Sequence, residues 1–92
     1  MASIFPLEIV TPEKVFYKGD VEMVITRTTQ GDRAVLKNHI PFVVGLVNGE
    51  LRIKKDGKFI SGQISEGFMT VSKEKTTILT ESAKWNDEAK GF

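Results

Sequence analysis

Ninety-two residues, 40% of them hydrophobic and 27% charged, allow one soluble globular domain with a single core. Thirteen basic against twelve acidic side chains leave a formal charge of +1, interspersed along the chain. This gives no clustered basic footprint for nucleic acid. Cysteine is absent, which removes disulfides, thiolate nucleophiles and cysteine-based zinc sites together. A chain this small hides roughly 60 to 65% of its unfolded surface on folding, so every apolar strand face needs cover. Residues 1–7 lack the charged and apolar regions of a secretory leader, and no later apolar run is long enough to cross a bilayer, so a cytoplasmic location is expected.

In chain order the predicted elements are short strands rich in Val, Ile, Phe and Thr at residues 6–10, 14–17 and 21–26, with breaks at Thr11-Pro12 and Lys18-Gly19-Asp20. Further strands are predicted at 42–47, 50–54, 58–61, 68–71 and 76–80. Asn48-Gly49 and Asp56-Gly57 both read as tight hairpins, because these dipeptides accept the positive φ of a type I′ turn. Between the two turns Leu51 and Ile53 alternate with Glu50, Arg52 and Lys54, so one face packs and the other meets water. Gln30-Gly31-Asp32 and Ser65-Glu66-Gly67 read as further hairpin turns rather than phosphate cradles. The spacing implies an all-β sandwich or flattened barrel, not a parallel sheet with crossover helices. The phenylalanines Phe5, Phe16, Phe42, Phe59 and Phe68 are expected mostly in the core. At the C-terminus Asn86 could cap a helical turn beginning at Asp87 and Glu88, but one turn does not offset the cost of nucleation.

The sequence offers no catalytic constellation. His39 is the only imidazole, too few for a triad or a histidine metal site, and a structural or interface role is the better reading. What stands out instead is the run from His39 to Val47, which is apolar at both parities. A sandwich strand should have a polar outer face, so one side of this run calls for cover, by a loop of the same chain or by a partner.

Four segments, in order, carry a family likeness. Phe5-Pro6-Leu7-Glu8-Ile9-Val10-Thr11-Pro12 resembles the opening strand of the epsilon subunits of F-type ATP synthases. Gln30-Gly31-Asp32-Arg33-Ala34-Val35-Leu36-Lys37-Asn38-His39-Ile40-Pro41 is similar to their Glu-Gly-Glu-(Ile/Leu)-Gly-Ile-Leu-Pro-Gly-His-x-Pro segment. Gly31, His39 and Pro41 match, Asp32 keeps the acid, and Gln30, Arg33, Ala34, Lys37 and Asn38 depart. Gly49-Glu50-Leu51-Arg52-Ile53 resembles the family's Gly-x-(Leu/Ile)-Arg-Ile strand, and the segment from Ile64 to Val71 its Ser-Gly-Gly strand, with Glu66 in place of one glycine.

The resemblance implies an all-β, ten-stranded antiparallel sandwich at residues 1–84, and at 85–92 a short remnant where a helical hairpin would begin. It implies a non-catalytic central-stalk rotor subunit with no cofactor. Its partners would be the gamma subunit and the c-ring, with no nucleic acid and no membrane insertion, at the cytoplasmic face of the cell membrane. Thr11, His39, Ile40, Pro41 and Phe42 would touch the gamma subunit, and Gly31, Asp32 and Arg33 the c-ring. Lacking the hairpin, such a form would support coupling without inhibiting hydrolysis. Two other classes compete: a free-standing sandwich that binds carbohydrate or another ligand, and a small-barrel enzyme using scattered carboxylates. Neither has a positive signal in the residues.

Overall fold

A computed structural model describes residues 3–37 and 40–86 and contains ten strands. β1 (Phe5–Val10) and β2 (Val15–Val21) form a hairpin, as do β3 (Met23–Thr28) with β4 (Gly31–Val35). β5 (Phe42–Leu46) is followed by the hairpin of β6 (Gly49–Lys55) and β7 (Lys58–Ile64). The hairpin of β8 (Gly67–Val71) and β9 (Thr76–Thr80) comes next, and β10 (Ala83–Trp85) ends the described strands. The ladders make two five-stranded layers. Layer one runs β4-β3-β6-β7-β10 and layer two β5-β8-β9-β1-β2. Every pairing is antiparallel except β1 with β9.

The predicted hairpin at Asp56-Gly57 is present, with φ of 53° and 78°, as a type I′ turn requires. The one predicted at Asn48-Gly49 is not. Neither residue has positive φ, and β5 and β6 do not pair. Both strands instead run antiparallel to β3, β5 by the bridge Thr28↔Leu46 and β6 from Ile25↔Arg52 onward. Val47 and Asn48 are therefore a corner at which one strand line passes from layer two into layer one. Ser65-Glu66 is a second such crossing rather than a hairpin, because β7 and β8 do not pair. The predicted break at Lys18-Gly19-Asp20 is also absent, since β2 continues through it to Val21. The turn at Gln30-Gly31 is a hairpin as expected, with Gly31 at φ 100° and the Thr28 hydroxyl donating to the Gly31 carbonyl at 2.6 Å. Two strands went unread, β4 and β10; β10 includes Trp85, the first residue of the stretch assigned to a tail. The helical turn expected from Asp87 lies outside the described residues.

Alternation along the strands builds one core between the layers, with Leu7, Ile9, Val24, Leu51, Ile53, Met69 and Ile78 essentially inaccessible. Buried Thr26 directs its hydroxyl at the Met69 sulfur, 3.9 Å away. Of the phenylalanines expected inside, Phe5 is buried and Phe16 and Phe42 are partly buried against the core. Phe59 and Phe68 are 45% and 59% exposed, because each stands at the outward parity of its strand.

The layers share a closed corner but have two open sides, each spanned by an aromatic contact. On one side Trp85 of β10 stacks on Phe16 of β2 at 4.7 Å between centroids and meets Tyr17 edge-on at 6.0 Å. On the other the Arg33 guanidinium of β4 lies 4.3 Å over the Phe42 ring of β5. Since β10 and β2 share no ladder, Trp85→Ala removes the main link on its side. With the loss of half-buried aromatic packing, it should cost about 2 to 3 kcal/mol in urea unfolding, with Trp85→Phe retaining most of it. Gly67 faces a harder constraint: a Cβ there would collide with the Leu79 carbonyl oxygen and lie 2.8 Å from the Thr80 Cα. Both obstacles are backbone, so Gly67→Ala should lower stability by about 3 kcal/mol, read from the shift in unfolding midpoint at unchanged m-value.

Candidate functional site

Layer two carries the exposed apolar surface anticipated for the run after His39. In β5 the inward residues are Phe42, Val44 and Leu46, leaving Val43 and Gly45 outside. The ladders then set a row straight across four further strands: Gly45 opposite Phe68, Phe68 opposite Leu79, Leu79 opposite Val10, and Val10 opposite Val15. Val43, Phe68 and Leu79 are 67%, 59% and 49% exposed. Parity explains this placement, because every second residue of a pleated strand must face away from the core. It does not explain why these outward positions are apolar where antiparallel sheets normally put polar side chains. A patch of this kind is the signature of a surface that is covered in use. The sequence singled out the run that contains Val43, but Phe68 was expected in the core and Leu79 was read only as part of a strand. The signal for them was register, which places residues 43, 68 and 79 on one face.

One groove takes in part of this row, and a second lies at the other end of the strands, about 10 Å away along β8 and β9. The corner groove, ≈ 700 Å³, is lined by Val10, Thr11, Thr29, Leu46, Phe68 and Leu79 among others, with Glu66 and Glu81 as its charged members. The far-end groove, ≈ 590 Å³, lies between the residues that open β1, the segment after β4 and the β8–β9 turn, with Ile4, Leu36, Ile40 and Pro41 in its lining. Ser72 fixes that turn, donating to the Lys75 carbonyl at 2.9 Å and accepting from the Lys75 amide at 3.1 Å.

The residues singled out for partner contacts fall at different places. Ile40 and Pro41 are exposed at the far end, Ile40 at 78%. Phe42 follows them but turns inward beneath Arg33. Thr11 belongs to the opposite end of layer two, in line with Thr80, Gly67 and Leu46. It is roughly 13 Å from the Phe42 row at about 3.3 Å per residue. There it is buried and serves the β1–β2 turn, donating from its hydroxyl to the Lys14 carbonyl at 3.2 Å. His39 lies outside the described residues. Gly31 and Asp32 are exposed on the β3–β4 hairpin at the corner end, with Asp32 paired to Arg27 at 3.2 Å. Arg33 leaves that tip and points between the layers. The structure thus joins Gly31 and Asp32 with Thr11 at one end, and Ile40 and Pro41 at the other.

No group of three or more potential metal-ligating side chains occurs among the described residues, and no described helix is long and apolar enough to cross a membrane. The arrangement offers surfaces for binding: an apolar row on an outer sheet face with a groove and a polar hairpin tip at the corner end, and a second groove at the far end.

Residues 4–86 match the family model described as ATP synthase, Delta/Epsilon chain, beta-sandwich domain. The chain is 50% identical over 88 residues to the ATP synthase epsilon chain of Alkaliphilus oremlandii, and 42% identical over 87 residues to that of Ruminococcus albus. These alignments cover 96% and 94% of this chain and only 66% and 65% of the relatives, so the chain spans just under two thirds of their length. Among solved structures, a chain of the Euglena gracilis mitochondrial ATP synthase OSCP/F1/c-ring assembly superposes with a TM-score of 0.85 at 25% identity, covering 92% of this chain and 55% of that one. A chain of the Tetrahymena thermophila central stalk and c-ring shares the fold at TM-score 0.74 and 13% identity, covering 89% of this chain and 66% of that one. Matched across 83 of its 92 residues, the chain belongs to the β-sandwich domain family of ATP synthase delta and epsilon chains.

Proposed function

We propose that this chain acts as the rotor sandwich of an ATP synthase, a non-catalytic coupling part that holds the gamma subunit and stands on the c-ring. The observation that carries the reading is the row through Phe68 and Leu79 with Val43 beside it, an apolar stripe on an outer sheet face in a member of this family. In this reading the gamma subunit covers that row and reaches Ile40 and Pro41, and His39 is a further contact residue. Phe42, partly buried beneath Arg33, borders that contact. The tip at Gly31 and Asp32 meets the polar loops of the c-ring, and Arg33 ties that strand to Phe42. Coupling ion flow to ATP synthesis then requires this piece only to bind both rotor parts rigidly, and its place is peripheral, on the cytoplasmic face of the membrane.

A sandwich suits that task mechanically. Its strands run between the corner, where the tip sits, and the far end, where Ile40 and Pro41 sit, so a load applied between them passes along continuous hydrogen-bonded ladders. Resistance to shear comes from the close-packed core between the layers.

The direct test is capture of purified gamma subunit by the 92-residue chain. Placing a carboxylate in the centre of a desolvated apolar contact leaves it unpaired, so Phe68→Asp should weaken capture at least 100-fold. Phe59→Asp, at a comparably exposed phenylalanine of layer one, should leave it unchanged. Equal effects of the two substitutions would remove the assignment of the docking face. For the other contact, a cysteine at position 32 should cross-link to a cysteine in a c-ring loop in the assembled enzyme. Asp32→Ala should alter coupling only modestly, because an exposed charge pair contributes about 0.2 to 1 kcal/mol.

A further inference from the structure

The two grooves, one taking in the apolar row at the corner and one at the far end of the strands, differ in charge. Among the described residues, the charged lining of the corner groove is Glu66 and Glu81, whereas that of the far-end groove is Lys37, Lys73 and Lys75 with Glu74. Lys75 is already engaged, its Nζ 3.2 Å from Glu8 Oε1 on the neighbouring strand, and the Ser72 turn holds Lys73 at the rim. Lys37 and Lys73 enter no ion pair among the described residues and are exposed above an apolar lining that includes Ile4, Leu36 and Ile40. The near-neutral total charge therefore hides a separation of charge between the two ends of the sandwich.

We propose that the far-end groove receives an acidic segment bearing apolar side chains, supplied by the same protein that covers the apolar row. This rests on the docking reading above and adds to it the chemistry of the occupant. Apolar side chains would fill the space beside Leu36 and Ile40 while carboxylates meet Lys37 and Lys73. The shape and charge of the groove ask for both features in one ligand. Opposite signs at the two ends also fix direction. A partner laid on the face the wrong way round would bring its acidic segment against Glu66 and Glu81, so the like charges reject that orientation.

The experiment is titration of purified gamma subunit onto the 92-residue chain at low and moderate ionic strength, using wild type, Lys37→Glu/Lys73→Glu and Phe68→Asp. Both lysines are exposed loop residues, and unchanged unfolding midpoints would show that the double variant folds. The expected result is that wild-type affinity falls as salt rises. The double variant should bind about tenfold more weakly at low salt, with much of that salt dependence gone. Wild-type-like binding by the double variant, alongside loss of binding by Phe68→Asp, would overturn the acidic segment while leaving the docking face standing. Unchanged binding by Phe68→Asp would instead overturn the docking face itself. Anionic phosphatidylglycerol vesicles serve as the competing probe: lysine-dependent adsorption to them, with gamma binding unaffected by the lysines, would also overturn the proposal.

Discussion

The arrangement depends on one strand line that changes layer. β5 and β6 follow each other in the same direction along β3, and the bend at Val47 and Asn48 sends β5 out to pair with β8 while β6 stays to pair with β7. The bend is tight: a Cβ on Gly49 would lie 2.9 Å from the Arg27 Cβ. Because the layers share this corner, they are closed there and open along two sides. The aromatic contacts of Trp85 with Phe16 and of Arg33 with Phe42 close those sides. The corner also sets the parity of β5. Leu46 is held inward opposite buried Thr28, so Val43 and Gly45 must face outward and the apolar row begins there.

Much of the architecture was legible from local chemistry. Alternation gave the strand faces, and Asp56-Gly57 gave its turn, because positive φ at both residues is a property of the dipeptide itself. The same logic failed at Asn48-Gly49. There the β3 ladder decides the path, and tertiary pairing overrode the local preference. Gly19 misled for a related reason: glycine suggests a break, yet β1 supplies a complete ladder that carries β2 through it. β10 is too short for alternation to register, and it exists because β7 offers an edge and Trp85 packs across to β2.

The site was legible only in part. Apolar residues at both parities after His39 signalled a surface needing cover, and that signal is local to one strand. The other members, Phe68 and Leu79, stand in ordinary strand contexts and look like core residues. Only the register of β8 against β5 and of β9 against β8 turns them to the same outer face as Val43. Arg33 shows the converse. The resemblance grouped it with Gly31 and Asp32, but strand alternation sends its side chain between the layers while Asp32 stays outside with Arg27.

The parallel ladder between β1 and β9 has a consequence for how the molecule is made. Leu7, Ile9 and Val10 leave the ribosome almost seventy residues ahead of their partners Thr76, Ile78 and Leu79. Loop-closure entropy opposes such long-range pairing until other contacts have shortened the path, so a sheet closed in this way assembles late and slowly. During synthesis the β1–β2 hairpin must wait with one edge and one apolar face uncovered, a state open to self-association. No N-terminal piece that ends before β9 contains a finished layer, and the other layer is complete only with β10.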